Sequence, residues 1–140
     1  MQAISIFEIF KIGIGPSSSH TLGPWNAARD FRTSVGTGCD HIQVHLYGSL
    51  CKTGKGHATD VAVQLGLEGY DSRIIDVDMI ATYLQKIADT KIIKIDHQDV
   101  RFDPENDIIF KKVTHELHPN TLIFNAYKSC LLYTSDAADE

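Results

Sequence analysis

The stretch HIQVHLYG, residues 41–48, alternates strictly between apolar and polar side chains. In an extended chain, Ile42, Val44 and Leu46 would point to one side and the residues between them to the other. Such alternation predicts a strand with one face on a core and one face toward solvent. It therefore indicates a sheet that is covered on one side only.

Amphipathic helices are predicted on both sides of this strand. Apolar residues at helical spacing predict one helix from Gly23-Pro24 to about residue 33, one over 58–66 and one over about 77–88. Asp76 is the expected cap of the last of these. Ser5 and Glu8 have the spacing of a capping box, which predicts a further short helix at the start of the chain.

Further strands are predicted near the end of the chain. Stretches rich in Ile, Phe or Val occur at 91–97, 107–113 and 121–127. Helices followed by a run of strands favour the α+β class. We therefore expect helices packed on one face of a mostly antiparallel sheet.

The length and composition are those of a single domain, and its net negative charge restricts the charged partners that it could bind. The chain has 140 residues, 13 Lys and Arg against 18 Asp and Glu, and a net charge of −5. This balance argues against a nucleic-acid partner. The chain also has no apolar run of membrane-spanning length and no basic leader at its start, so we expect a cytoplasmic protein without a membrane partner.

The cysteines and histidines do not form a recognisable metal site. The spacing of Cys39, Cys51 and Cys130 matches no zinc or iron–sulfur pattern, so free thiols are expected and no metal ligands in this chain. His41 and His45 would lie about 13 Å apart on one strand face, too far to share a metal. Both are expected to be exposed.

Three other stretches have a common chemistry. GPSSSHT (15–21) and TGKGHATD (53–60) each lead into a predicted helix, and HPN (118–120) precedes the last strand. Helix N-termini attract carboxylates and phosphates, hydroxyls donate hydrogen bonds, and histidine can act as an acid or a base. If the three stretches converge, they would bind a small hydroxylated carboxylate. Taken singly, each is more typical of an ordinary cap or turn than of a binding site.

Longer segments around these stretches carry a family resemblance. They are SIFEIFKIGIGPSSSHTLGPWNAA (5–28), LYGSLCKTGKGHATDVAV (46–63) and HPNTLIFNAY (118–127). Together they resemble the N-terminal β domain of the iron–sulfur L-serine dehydratases, or L-serine ammonia-lyases, over residues 3–128. The resemblance implies conversion of L-serine to pyruvate and ammonia without pyridoxal phosphate.

The resemblance also implies a cofactor and partners. A [4Fe-4S] cluster would be held by a C-terminal catalytic α domain or subunit, and the enzyme would be a homodimer. This β domain is similar to the substrate-binding regulatory domain of some phosphoglycerate dehydrogenases. The alternative function is therefore a stand-alone β subunit or a serine-binding regulatory module without catalytic activity of its own.

Roles for individual residues follow from the same resemblance. His57 and Thr59 would be catalytic, His57 as a neutral imidazole at a helix start and Thr59 through a hydrogen bond to the substrate. Asp60 would cap the helix or orient a neighbour. The substrate-binding residues would be Ser17, Ser18, Ser19, His20, Thr21, His118 and Asn120.

The end of the chain does not fit the rest. Residues 130–140, CLLYTSDAADE, show no cap, turn or amphipathic pattern and resemble translated sequencing adapter. We therefore expect a β-type domain over 1–129, truncated before the catalytic domain, followed by a segment that is not native. An ordinary disordered tail is the other interpretation.

Overall fold

The computed structural model describes residues 3–11, 22–35, 38–51, 58–111 and 121–129. The strands are β1 (Ala3–Lys11), β2 (His41–Tyr47), β3 (Ile92–Ile95), β4 (Gln98–Arg101), β5 (Ile108–Lys111) and β6 (Thr121–Ser129). The helices are α1 (Leu22–Val35), α2 (Ala58–Leu67) and α3 (Ile80–Thr90), with short 3-10 turns at Gly48–Cys51 and Val77–Met79. No helix among the described residues is both long and apolar enough to cross a membrane.

The six strands form one mixed sheet in the order β1-β6-β2-β4-β3, with β5 also beside β2. Antiparallel pairs join β1 to β6, β6 to β2, and β3 to β4. The second side of β2 is shared by two parallel neighbours, β4 at its first residue and β5 along its last four. The predicted α+β class with a mostly antiparallel sheet is confirmed.

The core lies between the sheet and the helices, as the alternation in β2 predicts. Ile42, Val44 and Leu46 are completely buried, and the residues between them are half-buried. Phe31 of α1 stacks on Phe124 of β6, with ring centroids 4.8 Å apart. Trp25, Ala62 and Leu65 form a second apolar cluster among the helices.

The predicted helices are present, with small changes at their ends. Helix α1 begins at Leu22, so Gly23 and Pro24 lie in its first turn. Backbone N–H groups of a first turn have no partner within the helix, so the missing N–H of proline breaks no helical hydrogen bond. Asp76 caps as expected, since its carboxylate accepts a hydrogen bond from the backbone N–H of Asp78 at 3.0 Å. The chain continues from this cap through a 3-10 turn into α3.

The prediction of a helix at the start of the chain is wrong. Residues 3–11 form strand β1, which pairs with β6 residue by residue from Ala3 opposite Ser129 to Lys11 opposite Thr121. A capping box stabilises a helix through local hydrogen bonds alone. Here an uninterrupted antiparallel ladder with β6 bonds the backbone groups of alternate residues, and the Ile and Phe content suits a strand.

Candidate functional site

Three connections of the chain begin or end at the same end of the sheet. Lys11, the last residue of β1, lies opposite Thr121, the first residue of β6. Tyr47, the last residue of β2, lies beside Lys111, the last residue of β5. Leu46 pairs with Leu122, which brings these two pairs together. We call this the loop end of the sheet, defined by Lys11, Tyr47, Lys111 and Thr121.

Both α1 and α2 begin toward the loop end. Helix α1 connects β1, which ends there, to His41, which pairs with Tyr127 at the opposite end of the sheet. Helix α2 runs beside α1 in the same direction: Trp25 packs with Ala62 and Leu65, and Gly66 lies against Ala28 further along. The partial positive charges of the two helix N-termini therefore lie on the same side of the molecule.

Most of the predicted site residues lie outside the described residues. These are Ser17, Ser18, Ser19, His20, Thr21, His57, His118 and Asn120. The described residues on either side of them are Lys11 and Leu22, Cys51 and Ala58, and Lys111 and Thr121. All three predicted stretches are thus attached to elements that begin or end at the loop end.

Thr59 and Asp60 are described, and both are buried in the first turn of α2. Thr59 is completely buried, so its hydroxyl does not face bulk water. The Asp60 carboxylate accepts a hydrogen bond from the side-chain amide of Gln64 at 3.1 Å. A carboxylate here also interacts favourably with the helix dipole, so Asp60 both stabilises the helix start and orients Gln64. The role of Thr59 toward a substrate stays a prediction.

His45 lies near the loop end, on the side of β2 opposite its completely buried residues. Burial lowers the pKa of His45 below its ordinary value, and the nearby Lys111 ammonium lowers it further. A neutral imidazole therefore lies near a cation. His45, Tyr47, Ile123 and Asn125 line a shallow cavity of about 250 Å³.

The expectation that His41 and His45 are exposed is wrong, because both are half-buried. The His41 imidazole pairs with the buried Asp107 carboxylate at 2.9 Å and stacks on the ring of Tyr127. The Tyr127 hydroxyl in turn donates to the side-chain oxygen of Gln43 at 3.3 Å. The alternation in β2 identifies the face of each histidine, but only the positions of β5 and β6 show that neighbours cover them.

The sequence matches a known family over most of its length. Residues 5–136 match the family described as serine dehydratase beta chain. The chain belongs to this family. An L-serine dehydratase of Haemophilus influenzae is 41% identical over 130 residues, which are 88% of this chain and 29% of that protein. The L-serine dehydratase TdcG of Escherichia coli is 41% identical over 132 residues, 89% of this chain and 29% of that protein.

A third relative shows the same proportions. An L-serine dehydratase of Streptomyces coelicolor is 39% identical over 134 residues, which are 90% of this chain. The chain spans about 29% of the length of each of these curated relatives. The comparison therefore establishes the family of this segment, and each of these relatives is more than three times as long as the part that the segment matches.

The described part of this serine dehydratase beta chain does not fit an iron–sulfur cluster. No group of three or more His, Cys, Asp or Glu side chains within it could hold a metal ion. Cys39 is a buried free thiol whose pKa is raised by that burial, and its sulfur lies 3.6 Å from the carbonyl oxygen of His41. A thiol protected in this way is a poor metal ligand, because the ligand is the thiolate.

Proposed function

We propose that this chain is the N-terminal, substrate-binding part of an L-serine ammonia-lyase that converts L-serine to pyruvate and ammonia. The observation that carries the proposal is the loop end. The ladders of β1, β2, β5 and β6 bring the attachment points of three chemically similar stretches to one end of the sheet. The sequence left open whether these stretches lie together, and this topology favours a common site.

The residue types suit a small amino acid with a carboxylate and a hydroxyl. The starts of α1 and α2 would attract the carboxylate, and the hydroxyls of Ser17, Ser18, Ser19 and Thr21 would supply hydrogen-bond donors. Lys111, at the end of β5, adds a positive charge at the same end. A neutral amide or a cationic group would gain less from this arrangement.

Elimination of water from serine also requires removal of the α-proton by a base. His57 immediately precedes the first residue of α2, where a helix N-terminus disfavours the imidazolium and keeps the ring able to accept a proton. We therefore assign His57 the role of base and Thr59 a hydrogen bond to the substrate. His118 and Asn120 would complete the binding of the substrate from the third stretch.

The cluster that the family resemblance implies would be held elsewhere. The described residues offer no ligand group for it, so we place its ligands in a catalytic α domain or subunit. We accordingly expect the 140-residue chain to bind L-serine but to form no pyruvate from it. Formation of pyruvate by the purified chain alone would contradict this division of roles.

Binding is tested by an NMR titration of the chain with L-serine, and with D-serine and L-alanine as matched controls. We expect shifts of the backbone amides of Leu22, Thr59 and Thr121, at the starts of α1, α2 and β6. The amides of Arg101 and Tyr127, at the opposite end of the sheet, should not shift. D-serine changes only the stereochemistry, and L-alanine removes only the hydroxyl. Equal shifts with all three amino acids, or none with L-serine at the loop end, would overturn the assignment.

Catalysis is tested by exchanging the matching residues of the Haemophilus influenzae relative for this segment. Starting from an active chimera, His57→Gln should lower pyruvate formation by about 100-fold or more, as expected for loss of a general base. The control is His97→Gln, which lies in the turn between β3 and β4. We expect this control to retain the parent activity. Equal activity of the two variants would exclude His57 as the base.

A further inference from the structure

Strands β1 and β3, at the two ends of the strand order, differ in how they are protected from pairing with another chain. Strand β3 is four residues long and carries Lys94, which is exposed and paired with Asp99 at 2.8 Å. Short, charged strands are the usual protection of an edge. Strand β1 is nine residues long, AISIFEIFK, with no proline or glycine. It has an uninterrupted one-to-one register with β6. Among the described residues, β6 is its only strand partner.

The hydrogen bonds of the central strands show which residues of β1 face the open edge. The backbone N–H of Val44 donates to the carbonyl of Asp107 at 2.7 Å, on the β5 side of β2. Val44 therefore forms no ladder bond with Phe124, which lies opposite it on β6. The backbone groups of Phe124 must point to β1, where Phe124 lies opposite Glu8.

The remaining residues of β1 follow by alternation. Because Glu8 is bonded to β6, the odd-numbered residues direct their N–H and C=O groups away from the sheet. These residues are Ala3, Ser5, Phe7, Ile9 and Lys11. An independent bond agrees, since the carbonyl of Tyr127 accepts from Asp40 on the β2 side. Within the described part of the chain, these five alternate positions have no strand partner on their outer side.

We propose that β1 pairs with β1 of a second copy of this chain, antiparallel across a two-fold axis, so that the two sheets become continuous. In such a pair, residues whose N–H and C=O groups face the open edge must lie opposite residues of the same kind in the second copy. An axis at Phe7 satisfies this condition for all five odd positions, with Ser5 opposite Ile9 and Ala3 opposite Lys11.

The charge pattern of β1 also favours the axis at Phe7. This register places Glu8 opposite Ile6, so no two like charges lie opposite each other. An axis at Glu8 would place two carboxylates opposite each other, which destabilises a strand pair. An axis at Ile6 would pair fewer residues. A second copy thus matches this edge in length, in the positions of the N–H and C=O groups that face outward, and in charge.

The test compares two substitutions at one edge position of the 140-residue chain, Ser5→Pro and Ser5→Ala. Proline removes an N–H that faces the open edge and leaves the bonds to β6 intact, which edge strands tolerate. Alanine changes the same side chain and keeps the N–H. Sedimentation equilibrium from about 1 µM to about 1 mM should show a dimer for the wild type and Ser5→Ala. Ser5→Pro should raise the dimer dissociation constant about tenfold or more, because each dimer loses two hydrogen bonds.

A second measurement needs no variant and so does not depend on how proline affects folding. In the wild type, hydrogen exchange of the Ser5, Phe7 and Ile9 amides should slow as protein concentration rises. The Ile6 and Glu8 amides, bonded to β6, should be protected at all concentrations. A monomer over the whole concentration range, or a dimer with equal constants for both Ser5 variants, would overturn the proposal. Protection of the odd amides in the monomer would also overturn it, because another part of the chain would then cover the edge.

Discussion

Replacing Gly66 with alanine should destabilise the protein, although alanine is the better helix former. At an exposed helix position the same change would stabilise by about 1 kcal/mol. A Cβ added at Gly66 in α2 would lie 2.4 Å from the carbonyl oxygen of Trp25 and 2.7 Å from the Cβ of Ala28. Both distances are shorter than ordinary van der Waals contact, so α1 and α2 could not keep their present separation.

The magnitude follows from what blocks the added atom. The nearest obstacle is the backbone of α1, which cannot rotate away as a side chain end would. Restoring normal contact requires the helices to separate by roughly 1 Å, which weakens dispersion along their whole interface. Overpacking costs about 1–3 kcal/mol, and a backbone obstacle belongs at the upper end of that range. After the gain of about 1 kcal/mol in helix propensity, the net loss is about 2 kcal/mol, or about 4–8 °C in Tm.

Urea unfolding followed by tryptophan fluorescence measures this loss directly, because Trp25 is the only tryptophan and lies at the interface. The matched control is Ala88→Gly on the exposed surface of α3, which should lose about 0.5–1 kcal/mol from propensity alone. Ala28→Gly added to Gly66→Ala should restore only part of the stability, since the Trp25 carbonyl remains. A Gly66→Ala protein at least as stable as the wild type would refute the close approach of the two helices.

Three further substitutions test buried or half-buried polar groups. Burial raises the pKa of Glu68 despite neighbouring cations, so ionisation of this carboxyl lowers the stability of the protein as pH rises. Glu68→Gln should therefore be more stable than the wild type at neutral pH. Unfolding curves should show this advantage vanish below about pH 4, where Glu68 is protonated in both states. Burial lowers the pKa of His45, so the free energy of unfolding should fall as pH drops below about 6.5. His45→Gln should reduce this dependence of stability on pH. An unchanged dependence would contradict the burial of His45. Asp107→Ala leaves the N–H of Asp103, bonded at 2.7 Å, and the imidazole of His41 without that partner, and should cost about 1–3 kcal/mol by thermal unfolding. A loss under about 0.5 kcal/mol would show that water replaces the carboxylate.

The sequence predicted the elements whose pattern depends on a single buried face. Strand β2 and helices α1, α2 and α3 each contact the core along one face, so their period appears directly in the residues. The sequence predicts a helix where β1 lies, because a short apolar segment with a capping box satisfies the local rules for a helix. Its true conformation depends on β6 at the far end of the chain.

Strand β4 was missed for a different physical reason. It pairs with β3 through a two-residue turn in which Asp96 and His97 both have positive φ, at 51° and 66°. This is the backbone of a type I′ turn, for which Asn-Gly or Asp-Gly is the usual sequence. An Asp-His pair gives no such signal, so the sequence predicts one continuous strand over 91–97.

The sequence predicts the chemistry of the candidate site but not its location in the fold. The hydroxyls, histidines and helix starts are visible in the sequence, and the same residues are typical of isolated turns. That the described elements on either side of these stretches begin or end at one end of the sheet depends on strand order, which no local pattern reports. The roles of His45 and Asp107 on the open face depend on neighbouring strands in the same way.

The parallel pairing of β5 with β2 is the feature of the topology that most affects the site. Because β5 runs parallel to β2, Lys111 lies beside Tyr47, and the nine residues 112–120 both leave and rejoin the sheet at the loop end. An antiparallel β5 would end near the middle of the sheet or beyond, and the connection would have to cross roughly 10–20 Å before β6 could begin at Thr121. Between about one third and two thirds of its extended length of about 30 Å would then serve to span the sheet. With both attachment points at one end, the connection that contains HPN need not span this distance, and its whole length is available to the site that we propose at the loop end.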